Sequence, residues 1–143
     1  MKKILSIIAL AALSAASFTA CNNRPPFEQL KATVDSANVA VHRQPLPMTD
    51  SCAIKYDEIT NTVKYLYYSQ DSIDASRIDP VIEDMKTQFI TSIIANDPSM
   101  TRELLAAKAN VMLEMCGSHN TKFELMVENS DFSKFYKELS GNN

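Results

Sequence analysis

Three cysteines, two histidines and one run of carboxylates are the side chains of this 143-residue chain with the chemistry to form a site. Cys52 and Cys116 are an even pair in a small domain, and in an exported protein such a pair reads as a disulfide. Closing a loop of that length would stabilise by about 4 kcal/mol on the chain-entropy model. Two separate buried thiols are the alternative reading. Redox or metal chemistry fits less well, because the C-x-x-C spacing is missing and no histidine cluster flanks either residue. His42 falls at the end of a predicted helix and His119 in a predicted turn, and neither lies beside a nucleophile motif such as G-x-S-x-G. With Gly117 and Gly141 the only glycines, a glycine-rich phosphate loop is excluded. Asp71, Asp74, Asp79, Glu83 and Asp84 fail as an EF-hand, since Ile73 and Ser76 stand where a ligand and the glycine are required. They read as surface charge. Carboxylates for glycoside hydrolysis pair in space rather than in sequence, and a small hydrolase stays a minor alternative that the lack of tryptophan disfavours. The expectation is a protein with no catalytic residues, no metal and no cofactor.

Two groups of residues suggest recognition instead. Tyr65, Tyr67 and Tyr68 crowd one predicted strand, with Tyr65 and Tyr67 on the face of Val63 and Tyr68 on that of Lys64 and Leu66. Tyrosine brings rigid contact area and a polar tip, so the trio is a candidate interaction face. Packing of the same rings on a sheet is the competing account. Met85, Phe89, Met112 and Met115 could line a small-ligand pocket between helix and sheet, although methionine more often fills a core.

The elements that must position these residues follow from periodicity. Phe27, Leu30, Val34, Ala37 and Val41 recur at helical spacing, and Gln44-Pro45-Leu46-Pro47 ends that helix. Cys52 to Tyr56 and Thr62 to Tyr68 predict a hairpin about the turn-rich segment 57–61. Asp79-Pro80 is a helix start, followed by the apolar stripe Ile82, Met85, Phe89 and Ile93. Asp97-Pro98 repeats the signal before a shorter helix. Val111 to Cys116 and Thr121 to Val127 predict a second hairpin, and Ser130-Asp131 caps a last helix. The alanines at 106, 107 and 109 leave open whether 106–112 is helix or strand. The expected fold is α+β in the order α-β-β-α-α-β-β-α, a four-stranded antiparallel sheet with helices on one face. Cys52 and Cys116 would meet if the first and third strands were adjacent. Cys52 shares a face with Ile54 and Cys116 with Glu114, so a bulge would also be needed.

The first 21 residues bear on location. Lys2-Lys3, the apolar run from Ile4 to Ala16 and the small residues before Cys21 have the layout of a secretory signal peptide, too short for a membrane span. A cysteine directly after the cleavage position resembles the lipobox of bacterial lipoproteins with a type II signal peptide. Phe18 stands where an aliphatic is usual, a relaxation similar to that in Bacteroidota lipoproteins. The resemblance implies a Cys21 carrying lipid chains, and two or more chains anchor stably. An ordinary cleaved signal with an incidental cysteine is the alternative. The division is then signal peptide 1–20, lipidated cysteine and tether 21–26, and one domain over 27–140. Cleavage would remove Lys2 and Lys3 and move the formal charge from −3 to −5, a poor match for nucleic acid. Asn22 and Asn23 lack the acidic residues that resemble surface-export signals, so the expected location is the outer membrane, facing the periplasm. Segment order from Pro45-Leu46-Pro47 through Asp97-Pro98-Ser99-Met100 loosely resembles small Bacteroidota lipoproteins without a characterised activity. It brings no activity with it. The functional expectation is a membrane-anchored accessory module that binds an envelope protein.

Overall fold

The computed structural model describes residues 24–43 and 51–141. Helix α1 (Pro26–Arg43) is followed by strands β1 (Ser51–Asp57) and β2 (Thr62–Tyr68). A single turn α2 (Ala75–Ile78) and a 3-10 turn (Asp79–Val81) lead into α3 (Ile82–Asn96) and α4 (Pro98–Ala107). Strand β3 (Asn110–Cys116), a 3-10 turn (Ser118–Asn120), strand β4 (Lys122–Val127) and helix α5 (Asn129–Ser140) complete the chain. The signal segment 1–20, Cys21 and the proline segment 44–47 lie outside the described residues.

The fold is α+β, but the sheet is mixed rather than antiparallel. Its order is β1-β2-β3-β4, with antiparallel hairpins at both sides and a parallel β2–β3 pair in the middle. The physical reason is the connection. Helices α3 and α4 between β2 and β3 carry the chain back to the end where β2 began, so β3 starts beside Thr62 with Asn110 as its partner. Asn110 N–H donates to the carbonyl of Asn61 at 2.9 Å, which aligns the two strand starts.

Three local signals decide the helix boundaries. Asp97 caps α4 as expected, its carboxylate accepting from Met100 N–H at 2.9 Å while only 3 % exposed. Lys108 then stops α4 in the left-handed region, φ 50°, ψ 41°, and its N–H satisfies the carbonyls of Leu104 and Leu105. Residues 106–112 therefore divide between helix and strand, with β3 starting at Asn110. Asp79 is not the expected cap, because it already has helical angles. The start signal lies upstream, where Asp74 accepts from Ser76 N–H at 3.1 Å. The last helix begins at Asn129 with Glu128 in the cap position, one residue before the expected Ser130-Asp131 pair.

One face of the sheet carries the core. Val63, Tyr65 and Tyr67 of β2, Val111, Leu113 and Met115 of β3, and Phe123, Leu125 and Val127 of β4 are all buried. They form one cluster with the apolar stripes of the helices, among them Leu30, Phe89, Met100 and Phe132. Burying such side chains contributes about 1.5–3 kcal/mol each, so this face dominates stability. Asn38 of α1 adds a polar clasp, its Oδ1 accepting from Ile54 N–H on edge strand β1 at 2.8 Å. That bond occupies an edge donor that would otherwise template strand pairing.

Candidate functional site

The opposite face of the sheet is the candidate site, because its residues alternate with the core and point away from the helices. Register places them in rows. Lys55, Lys64, Met112 and Met126 form one row, and Ala53, Leu66, Glu114 and Glu124 the next. Ser51, Tyr68, Cys116 and Lys122 form a third. Leu66 sits at the centre and is only 7 % exposed, whereas Met126 is 42 % and Tyr68 37 % exposed. Apolar and charged side chains alternate on this surface, with Lys64 and Glu114 on the central strands beside Met112 and Leu66.

The charges are organised by ion pairs. Glu114 and Glu124 oppose each other across β3 and β4, a repulsive placement. Lys122 relieves it by reaching Glu114 at 3.1 Å and Glu124 at 2.5 Å. Those two bonds hold its ammonium well above the usual lysine range. Lys55 and Lys64 oppose each other on β1 and β2, and Lys64 turns to Asp57 at 3.0 Å. The Lys64 hydrogen bond, helped by Thr60 N–H, lowers the Asp57 carboxyl to about 2.

The tyrosine trio divides between the two faces as alternation predicts, and burial removes two of the three from the candidate interaction face. Tyr65 and Tyr67 are 3 % and 5 % exposed and belong to the core. The Tyr65 ring meets Phe89 edge-on at 5.4 Å and 88°. Burial, and then the Asp97 charge, raise its phenol far above the ordinary value. Only Tyr68 stays on the open face. The methionine pocket fails for the same reason. Met85, Phe89 and Met115 are buried together in the core, but Met112 lies across the sheet on the open face.

The cysteines also part company. Cys52 is on the core face beside Tyr67, and Cys116 is on the open face beside Tyr68. Both are free thiols. Strand β2 separates them, and two strand spacings are about 9.5 Å, beyond the roughly 7 Å that a disulfide spans between Cα atoms. The expected pairing is thus corrected by strand order as well as by face. Burial pushes the Cys52 thiol up to about 11. Burial, then the Glu114 charge, raise Cys116, whose Sγ donates to Glu114 Oε1 at 3.7 Å. A thiolate nucleophile needs the reverse shift.

His42 is exposed on α1, and His119 is exposed at φ 57° with its Nδ1 3.1 Å from Ser118 Oγ. Among the described residues no group of three or more His, Cys, Asp or Glu is placed to hold a metal ion. Leu66, Met112 and Met126 are the site residues that the tyrosine argument missed. The signal was present in β4, where Lys122, Glu124 and Met126 alternate with Phe123, Leu125 and Val127. Comparison with protein-family models, curated proteins and solved structures returns no match to this chain.

Proposed function

We propose that this chain is a lipid-anchored protein of the bacterial cell envelope, held at the outer membrane and facing the periplasm. Its domain is a non-enzymatic accessory module that binds another envelope protein through the open face of the sheet. The carrying observation is that face: Met126 and Tyr68 are more than a third exposed on it, beside Met112 and the nearly buried Leu66, with Lys64 and Glu114 interleaved among them. Exposed tyrosine and methionine are enriched at protein–protein contacts. The anchor rests on the residues up to Cys21. Among the described residues no helix is long and apolar enough to cross a membrane, so attachment in this reading comes from the lipid.

Two measurements test it. Cys21→Ser leaves the domain folded but moves it from the membrane to the soluble fraction. Persistence in membranes after a carbonate wash refutes the anchor. A photo-crosslinking residue at position 126 in cells traps one stoichiometric envelope protein, and the same residue at exposed Ala106 does not. Equal trapping at both positions, or none at 126, refutes the open face as the contact.

A further inference from the structure

Helix α1 fixes where the anchored end of the domain lies. Lys31 pairs with Glu58, and Asn38 with the backbone of Ile54, so α1 runs antiparallel to β1 with its N-terminus beside the β1–β2 turn. Arg24 belongs to that same end. Its carbonyl accepts from Gln29 Nε2 at 2.8 Å, and the Pro25 carbonyl accepts from Glu28 and Gln29 N–H, which ties the entering chain to the first turn of α1. From Cys21 to Arg24 is three peptide steps, at most about 11 Å.

The residues at this end suit a lipid surface. Ile59, at the tip of the β1–β2 turn, is 96 % exposed, the highest exposure of any large apolar residue described. Phe27, half exposed, lies one helical turn (about 6 Å) beyond Lys31 in the same direction. The turn's two carboxylates are each matched by a lysine, Asp57 by Lys64 and Glu58 by Lys31. Arg24 is exposed there, and so is Lys108, which is held to the turn through Asn61 Nδ2 on its carbonyl at 3.1 Å. Apolar tips beside cations suit an interfacial contact, with the carboxylates of the turn paired and Glu28 the exposed acid in the first turn of α1.

We infer that the β1–β2 turn and the start of α1 rest on the membrane, with Ile59 and Phe27 entering the headgroup region. The inference rests on the lipid anchor at Cys21 and adds an orientation to it. The strands then rise from the bilayer, and the 69–73 segment and the 117–121 turn stand farthest from it. Six residue steps along the strand, about 20 Å, separate Thr62 at the membrane end from Tyr68 at the far end. The open face is left upright and accessible to a partner.

The chain contains no tryptophan, so one introduced residue is a clean reporter. The lipidated protein, beginning at Cys21, is reconstituted in phosphatidylethanolamine–phosphatidylglycerol vesicles with brominated acyl chains. Ile59→Trp and Phe27→Trp lose emission roughly twofold relative to unbrominated vesicles, because brominated chains quench only residues at the acyl boundary. Ser72→Trp, exposed at the far end, keeps its emission. If the protein floats with the vesicles but Ile59→Trp is unquenched, or Ser72→Trp is quenched as strongly, the orientation is overturned while the anchor stands. If the unmodified protein does not float, the anchor itself is refuted and the orientation falls with it.

Discussion

Gly117→Ala sets two opposing effects against each other, and the structure decides the sign. The backbone at Gly117, φ −107° and ψ 177°, is extended and open to any residue. On conformational grounds alone, alanine would stabilise by about 0.4–1 kcal/mol through the unfolded chain. The space around it points the other way. A Cβ would meet Thr121 Oγ1 at 2.5 Å, the Asp71 carbonyl oxygen at 2.6 Å and Ile73 Cγ1 at 2.9 Å. Thr121 Oγ1 accepts from Ile73 N–H at 2.9 Å, and the Asp71 carbonyl accepts from Ser118 N–H at 3.1 Å. Pushing these apart loses two bonds of about 1 kcal/mol each and adds an overpacking cost of about 1–3 kcal/mol. The net is a destabilisation of roughly 2–4 kcal/mol after the entropic gain. In urea unfolding this lowers the midpoint by roughly 1–3 M with the slope unchanged. Adding Thr121→Ala removes the closest obstacle, so the double variant is less destabilised than the sum of the singles, by about 1 kcal/mol. A midpoint that stays or rises in Gly117→Ala, or strict additivity in the double variant, would show that the 69–73 segment gives way freely and refute the reasoning.

Three further outcomes follow from the thiols and the charges. Intact protein keeps both Cys52 and Cys116 as free thiols, each taking up an alkyl group by mass without reductant, and a reductant leaves the unfolding midpoint where it was; the absence of both adducts would refute the strand order. Cys52, with its thiol raised to about 11, binds its proton more tightly folded than unfolded, so this contribution to stability is complete below the unfolded thiol range and is lost as pH climbs towards 11. Asp57 has the opposite sign. Its carboxyl is lowered to about 2, so its contribution is present above the ordinary carboxylate range near 4 and is lost as pH falls towards 2. Asp57→Asn flattens that part of the acid titration, and an unchanged acid limb in the variant would refute the Lys64 pairing as its source.

Local chemistry was legible in the residues, and long-range pairing was not. The period-two patterns marked β2 at its observed ends and the other three strands within a residue or so, and Asp97 announced its helix. The short-range exceptions have local causes. Asp79-Pro80 lost its role because Asp74 had already opened a turn upstream, and a lysine in the left-handed region stopped α4 where no glycine marked the position. Strand order depends on where a helical connection delivers the chain, and no side chain near either strand records that. Hence the antiparallel expectation failed only at β2–β3. The cysteine face assignments were readable from alternation, and they already opposed the pairing that their even number suggested. The tyrosine-rich strand drew attention to Tyr65 and Tyr67, which the helices bury, and away from Leu66 between them.

The parallel centre of the sheet also sets the order in which this chain can assemble. Asp57 and Thr62 are paired across a turn only five positions apart, whereas Thr62 and Asn110 are 48 positions apart. Closing the longer loop costs about 2 kcal/mol more by the logarithmic chain-entropy rule. Each hairpin therefore forms on local contacts, while the seam between them waits for α3 and α4 to fold and bring Asn110 back to Asn61. Until then β2 and β3, the most apolar strands of the sheet, present bare hydrogen-bonding edges. The interval before the seam closes is when this protein is most exposed to pairing with the wrong chain.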